Sequence, residues 1–141
     1  MENTWSRKKF SQKGGISDRK ALFYTEQGMF PALCRDVGRG TSRTYTTTEL
    51  RDLRLILELT KFGLPLNKIK IMIKYIHSIQ DKWLPNGKLI DEPFYVSWDP
   101  MDDKPFDYYT ESVDSGRSVE KIESPLSLII NLNVIFQGTV E

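Results

Sequence analysis

The side chains best suited to covalent, redox or metal chemistry are few and scattered: Cys34, His77 and an acidic run holding Asp99, Asp102, Asp103 and Asp107. A single cysteine cannot close an internal disulfide, and one cysteine with one histidine is too few for a zinc cage. The aspartates have the charge for a hard cation but lack the glycine and the spacing of a calcium loop. His77 lies between Ile76 and Ser78 late in a helical pattern, where a packed imidazole or a helix-end partner fits better than a general base. No nucleophile, base and orienting group assemble from this inventory, so the chain reads as a non-enzyme without cofactor or metal.

A second set of residues has one consistent chemistry. Arg19 and Lys20 follow Ser17, Arg39 and Arg43 lie beside glycines or threonines further on, and Tyr24 and Tyr45 add two hydroxyls. Cationic donors and hydroxyls on a short helix and a loop suit phosphate oxygens, and the start of such a helix is the end that meets base edges. The charge distribution agrees. The net charge of +1 hides a first stretch, residues 1–80, with 15 basic and 7 acidic side chains (+8), and a remainder with 5 basic and 12 acidic (−7). Only the first stretch suits a polyanion.

The elements that position these residues can be read in order. Ser6 caps a first helix, with Trp5 before it and Phe10 four positions in, a pattern that fits a hydrophobic staple. Its first turn, Arg7-Lys8-Lys9, opposes the helix dipole, which either nearby phosphates or plain solvation can offset. Gly14-Gly15 breaks that helix, Ser17 caps a second with Asp18 in its first turn, and Gly28 ends it. The result is a helix-turn-helix pattern. From Phe30 to Thr46 the spacing is no longer helical, and Pro31, Gly38 and Gly40 punctuate a stretch with Arg35, Arg39, Arg43 and Tyr45 that reads as a β wing or as a solvated loop with Tyr45 in the core.

Thr46 and Glu49 form a capping box for a third helix carrying Leu50, Leu53, Ile56 and Leu57 and running to Phe62 before Gly63. After Leu64-Pro65 a fourth carries Leu66, Ile69, Met72, Ile73, Ile76 and Ile79 on one side, with Ile71 and Tyr75 as a second apolar row in need of cover. Beyond Trp83 the period falls to two. Pro85-Asn86-Gly87 marks a turn, Phe94, Val96 and Trp98 alternate with Tyr95 and Ser97, and a second strand holds Phe106, Tyr108 and Tyr109. A third is predicted over residues 126–136, with Leu126, Leu128, Ile130, Leu132, Val134 and Phe136 on one face.

With those residues placed, residues 16–73 resemble the DNA-binding head of the MerR family of bacterial transcription regulators. Ser17, Tyr24 and Gly28 match in the second helix, Arg43 and Tyr45 in the wing, Leu50, Leu53 and Ile56 in the next helix, and Gly63, Leu66 and Ile69 in the last. Each short motif is weak, whereas their order and spacing are specific. The resemblance implies a winged helix-turn-helix head, about residues 5–79, that binds duplex DNA as a dimer and commonly distorts it at a promoter. Two departures stand out. Leu22 occupies a position where family members usually carry arginine, so one phosphate contact is absent or is replaced by Arg19 and Lys20. The family's long dimerisation helix should follow the head, yet the pattern turns to strands after Trp83.

The expected fold is therefore α+β: residues 1–80 form the winged helix-turn-helix with two further helices, and residues 81–141 form a small antiparallel β region for dimerisation, an effector or a partner. The expected function is sequence-specific binding of double-stranded DNA by a homodimeric transcription regulator, through Ser17, Arg19, Lys20, Tyr24, Arg39, Arg43 and Tyr45. RNA polymerase or another regulator is a further candidate partner. An excisionase-like architectural protein and an interaction module tethered to DNA by its head are the alternatives. No apolar run approaches the roughly 18 residues of a membrane span. The polar, basic opening from Met1 to Phe10 is unlike a secretory leader, so a cytoplasmic, nucleoid-associated protein is expected.

Overall fold

A computed structural model describes residues 4–33, 44–101, 104–110 and 128–137, with backbone alone at 104–106. These residues belong to two compact units that divide in sequence between Ile73 and Lys74.

In the first unit the strand Thr4–Trp5 (β1) leads into the helix Arg7–Gly14 (α1), whose cap Ser6 accepts a hydrogen bond from the Lys9 N–H at 3.2 Å. Gly15 then turns the chain with φ 70°, a left-handed conformation that glycine adopts without the cost imposed by a Cβ. At Gly14 a Cβ would overlap Leu53 Cδ2, so any larger residue there would require that side chain to shift. The second helix, Asp18–Glu26 (α2), starts from the expected cap: Ser17 accepts from the Lys20 N–H at 3.1 Å. It ends two residues before Gly28.

The wing expected from Phe30 to Thr46 is described only at its ends. Residues 34–43, with Cys34, Arg35, Arg39 and Arg43, lie outside the described residues. Its last two residues, Tyr45–Thr46 (β2), pair antiparallel with β1, Thr4 opposite Thr46 and Trp5 opposite Tyr45. A two-residue ladder is too short to leave a period in the sequence. The third helix, Thr47–Thr60 (α3), opens with the capping box: Thr48 N–H donates to Thr46 Oγ1 at 3.2 Å, and Thr46 N–H donates to Glu49 Oε1 at 2.8 Å. It stops at Thr60, and Phe62, expected to extend its apolar row, is 70% exposed.

The fourth helix, Leu66–Ser78 (α4), buries Ile69, Met72, Ile73 and Ile76, while Ile71 and Tyr75 are half-buried. The core of the first unit is built on three rings. Phe10 stacks on Tyr45 at 4.4 Å, and Phe30 meets Phe10 edge-on at 5.6 Å and Tyr45 at 6.2 Å. All three are essentially inaccessible, so α1, the chain after α2, and β2 converge on one apolar point.

In the second unit the short helix Gln80–Trp83 (α5) precedes the expected turn at Pro85–Gly87. Trp83 Nε1 donates to the Ile76 carbonyl at 2.9 Å, giving a buried indole its partner. Strands Phe94–Asp99 (β3), Lys104–Thr110 (β4) and Leu128–Asn131 (β5) form an antiparallel sheet in the order β4-β3-β5. In central β3, Phe94, Val96 and Trp98 are buried as the alternation requires. Ser97, on the opposite face, is buried too, 3.3 Å from the Tyr109 hydroxyl.

The third predicted strand is corrected. Among its described residues Leu128–Asn131 is extended and Leu132–Phe136 (α6) is helical, with the Asn131 side chain accepting from the Val134 N–H at 3.4 Å, while residues 126 and 127 lie outside the described residues. Residues 132 and 136 share a face at a period of two and at a period of 3.6, so the alternation could not tell the two apart. Val134 decides between them. A strand would bury it with Leu132 and Phe136, whereas it is 58% exposed and they are buried.

Candidate nucleic-acid interface

At the start of α2 the capping hydroxyl of Ser17 turns inward to the helix backbone, and Arg19 and Lys20, the second and third helical residues, are exposed. The exposed N–H groups and dipole of a helix start favour anions, and two cations beside them strengthen that preference. Asp18, also in this turn, does not cancel it. Arg7 Nε donates to Asp18 Oδ1 at 3.0 Å and Arg7 Nη2 to Asp18 Oδ2 at 3.1 Å, a two-point pairing between the first turns of α1 and α2. Those hydrogen bonds hold the Asp18 carboxyl below the usual carboxylate range and raise the Arg7 guanidinium further. Arg7, read from sequence as an unfavourable first-turn cation, is offset by an internal partner.

The two tyrosines lie elsewhere. Tyr24 is 3% exposed and Tyr45 1%, so both rings are core. The Tyr45 hydroxyl is 2.8 Å from Thr25 Oγ1, which gives its own proton to the Ala21 carbonyl at 2.7 Å. Tyr45 is therefore the donor in that pair. Its proton ties β2 to α2 and is not free for a phosphate. Lys20 Nζ sits 5.9 Å from the centre of the Tyr24 ring, so this tyrosine supports a cation of the exposed surface.

Sequence reasoning missed the other anchor of α2. Lys70 Nζ on α4 donates to the Gln27 carbonyl at 3.2 Å, placing a cation at the negative end of the helix. The two residues are 43 apart, with no local pattern to link them. The structure thus gathers Ser17, Arg19 and Lys20 at one end of a helix tied by Arg7–Asp18 and by Lys70, and puts Tyr24 and Tyr45 beneath it. Arg39 and Arg43 lie outside the described residues. Among the described residues no cluster of histidine, cysteine and carboxylate side chains forms a metal site, and no helix is long and apolar enough to cross a membrane.

Two capped helices joined by a glycine turn, with an exposed basic start to the second, are the geometry of a helix-turn-helix. Residues 6–76 match the MerR HTH family of regulatory proteins, 71 of the 141 residues. The chain belongs to the MerR family. No curated protein matches it. The match takes in α1, α2, β2, α3 and most of α4, so it covers the helix-turn-helix and the two helices that follow it. As a member of this family the protein is a DNA-binding transcription regulator. Beyond α4 it departs from the long family helix: among the described residues the later helices, α5 and α6, have four and five residues. Leu22, in place of the usual arginine, is half-buried on α2.

Proposed function

We propose that this MerR-family protein recognises a specific sequence of double-stranded DNA as a homodimer and regulates transcription there. Ser17, Arg19 and Lys20 bring the start of α2 into the major groove, and Arg39 and Arg43 hold phosphates from the stretch between α2 and β2. Tyr24 and Tyr45 act by packing, the first under Lys20 and the second through Thr25. The observation that carries this reading is the exposed pair Arg19 and Lys20 on a helix fixed at both ends within the matched residues. A rigid cationic helix start can hold one register on a duplex.

One such helix reads only a few base pairs, and two-fold pairing places two of them about 34–36 Å apart on successive turns of DNA. Residues 81–141 take the dimerisation, effector or partner role, and their acidic excess keeps them off the polyanion. The working place is the nucleoid, and RNA polymerase or another regulator is the protein partner.

Selection of bound duplexes from a random pool, with mass measurement of the complex in solution, tests the proposal. A palindromic consensus bound by two copies is expected. Recovery of unrelated sequences, or of one copy on an asymmetric site, contradicts it.

A further inference from the structure

The outward face of α2 carries an exposed apolar residue that cationic binding does not use. Ala21, Tyr24 and Thr25 are buried and define the inward face, so Arg19, Phe23 and Glu26 share the opposite side. Phe23 is 46% exposed, with the Tyr24 ring 5.8 Å away. Single exposed apolar side chains are common on protein surfaces. This one is distinguished by its place, one turn beyond Arg19 and one turn before Glu26 on the second helix of a helix-turn-helix.

Resting on the proposed duplex binding, we infer that Phe23 is a specificity residue whose ring packs on the C5-methyl group of a thymine in the major groove. Among the four bases thymine alone carries a methyl group on that edge, where cytosine has only a C5 hydrogen beside its amino group and the purines offer N7 with O6 or N6. A phenyl ring has no donor or acceptor. Set against guanine, adenine or cytosine it would strip water from polar atoms for less apolar contact in return, whereas against thymine it also buries the methyl group. Its neighbours have complementary uses: Arg19 suits guanine O6 and N7, and Glu26 suits the cytosine amino group. The face is therefore ordered as cation, apolar ring, carboxylate, each matched to a different base edge.

The test uses the full-length protein and its selected duplex, with each thymine replaced in turn by deoxyuridine, which removes only the methyl group. At one thymine in each half-site the replacement weakens wild-type binding about fourfold, the equivalent of about 0.8 kcal/mol for one buried carbon. In the Phe23→Ala protein the same replacement has no effect at that position. The half-exposed site tolerates this change, and a helical circular dichroism spectrum equal to wild type verifies it. Deoxyuridine tolerated at every position by the wild type, or the same loss in Phe23→Ala, overturns the inference while leaving duplex binding intact. Failure to select any duplex overturns the proposed function itself, and this inference with it.

Discussion

The two units of this protein are held by different kinds of contact. The helices of the first are started by caps that span a few residues, Ser6 to Lys9, Ser17 to Lys20 and Thr46 to Glu49, with a few longer ties between them such as Lys70 to Gln27. In the second the strands of a three-stranded sheet meet across long separations, Val96 opposite both Tyr108 and Ile130. The charges divide the same way, +8 over residues 1–80 and −7 over the remainder. Local contacts can be written into short motifs that recur across a family, whereas a sheet depends on pairings that any sequence with the right alternation can supply. That difference is consistent with a family match that ends at residue 76.

The largest expected effects break one unit at a time. Phe10→Ala removes the ring stacked on Tyr45, and Phe136→Ala removes the ring 5.0 Å from Trp83. Each should cost about 3–5 kcal/mol, the usual range for deleting a buried phenylalanine side chain. In urea titrations Phe10→Ala should shift the helical circular dichroism signal, and Phe136→Ala the tryptophan emission. An equal shift of both signals in both variants would show that the units unfold as one. A smaller change sharpens the contrast. Thr46→Ala deletes the α3 cap and should cost about 1 kcal/mol, seen as a lower urea midpoint at unchanged slope.

The smallest effect concerns pH. Asp18 is held below its ordinary pKa by the Arg7 hydrogen bonds, so the stability it adds is fully present above the ordinary carboxylate value, about 3.9. That contribution is lost as pH falls through the lower folded value. Asp18→Asn removes it, and the melting temperature of the variant should fall less than that of wild type between about pH 5 and about pH 2. Because the pair is exposed the difference is small, and it should shrink in high salt. A variant with the full acid sensitivity of wild type would show that the pair contributes nothing.

Much of the head was legible in the sequence because each helix start carries its own cap and the apolar spacing has one period. Both serine caps, the Thr46–Glu49 box and the buried Leu50, Leu53 and Ile56 follow from neighbours within a turn. The β1–β2 ladder and the Lys70 bond to Gln27 were not legible, since they join residues 40 to 43 apart. Tyr45 shows a subtler limit. Its type and position suit a phosphate contact, and only the fold reveals that Thr25 takes its hydroxyl proton. In the second unit β3 and β4 could be read by alternation, but α6 could not, because the spacing of Leu132 and Phe136 satisfies a strand and a helix alike.

That α2 is the element that meets the duplex is tested most directly by salt dependence. Affinity for the selected duplex is measured from low to moderate salt for wild type and for Arg19→Ala/Lys20→Ala. The double variant should bind more weakly, and the slope of log K against log salt should become shallower by roughly 0.9 for each of the two cations that neutralises a phosphate rather than reading a base edge. Affinity and slope both identical to wild type would mean that α2 does not meet the duplex and would place the duplex on another face of the head.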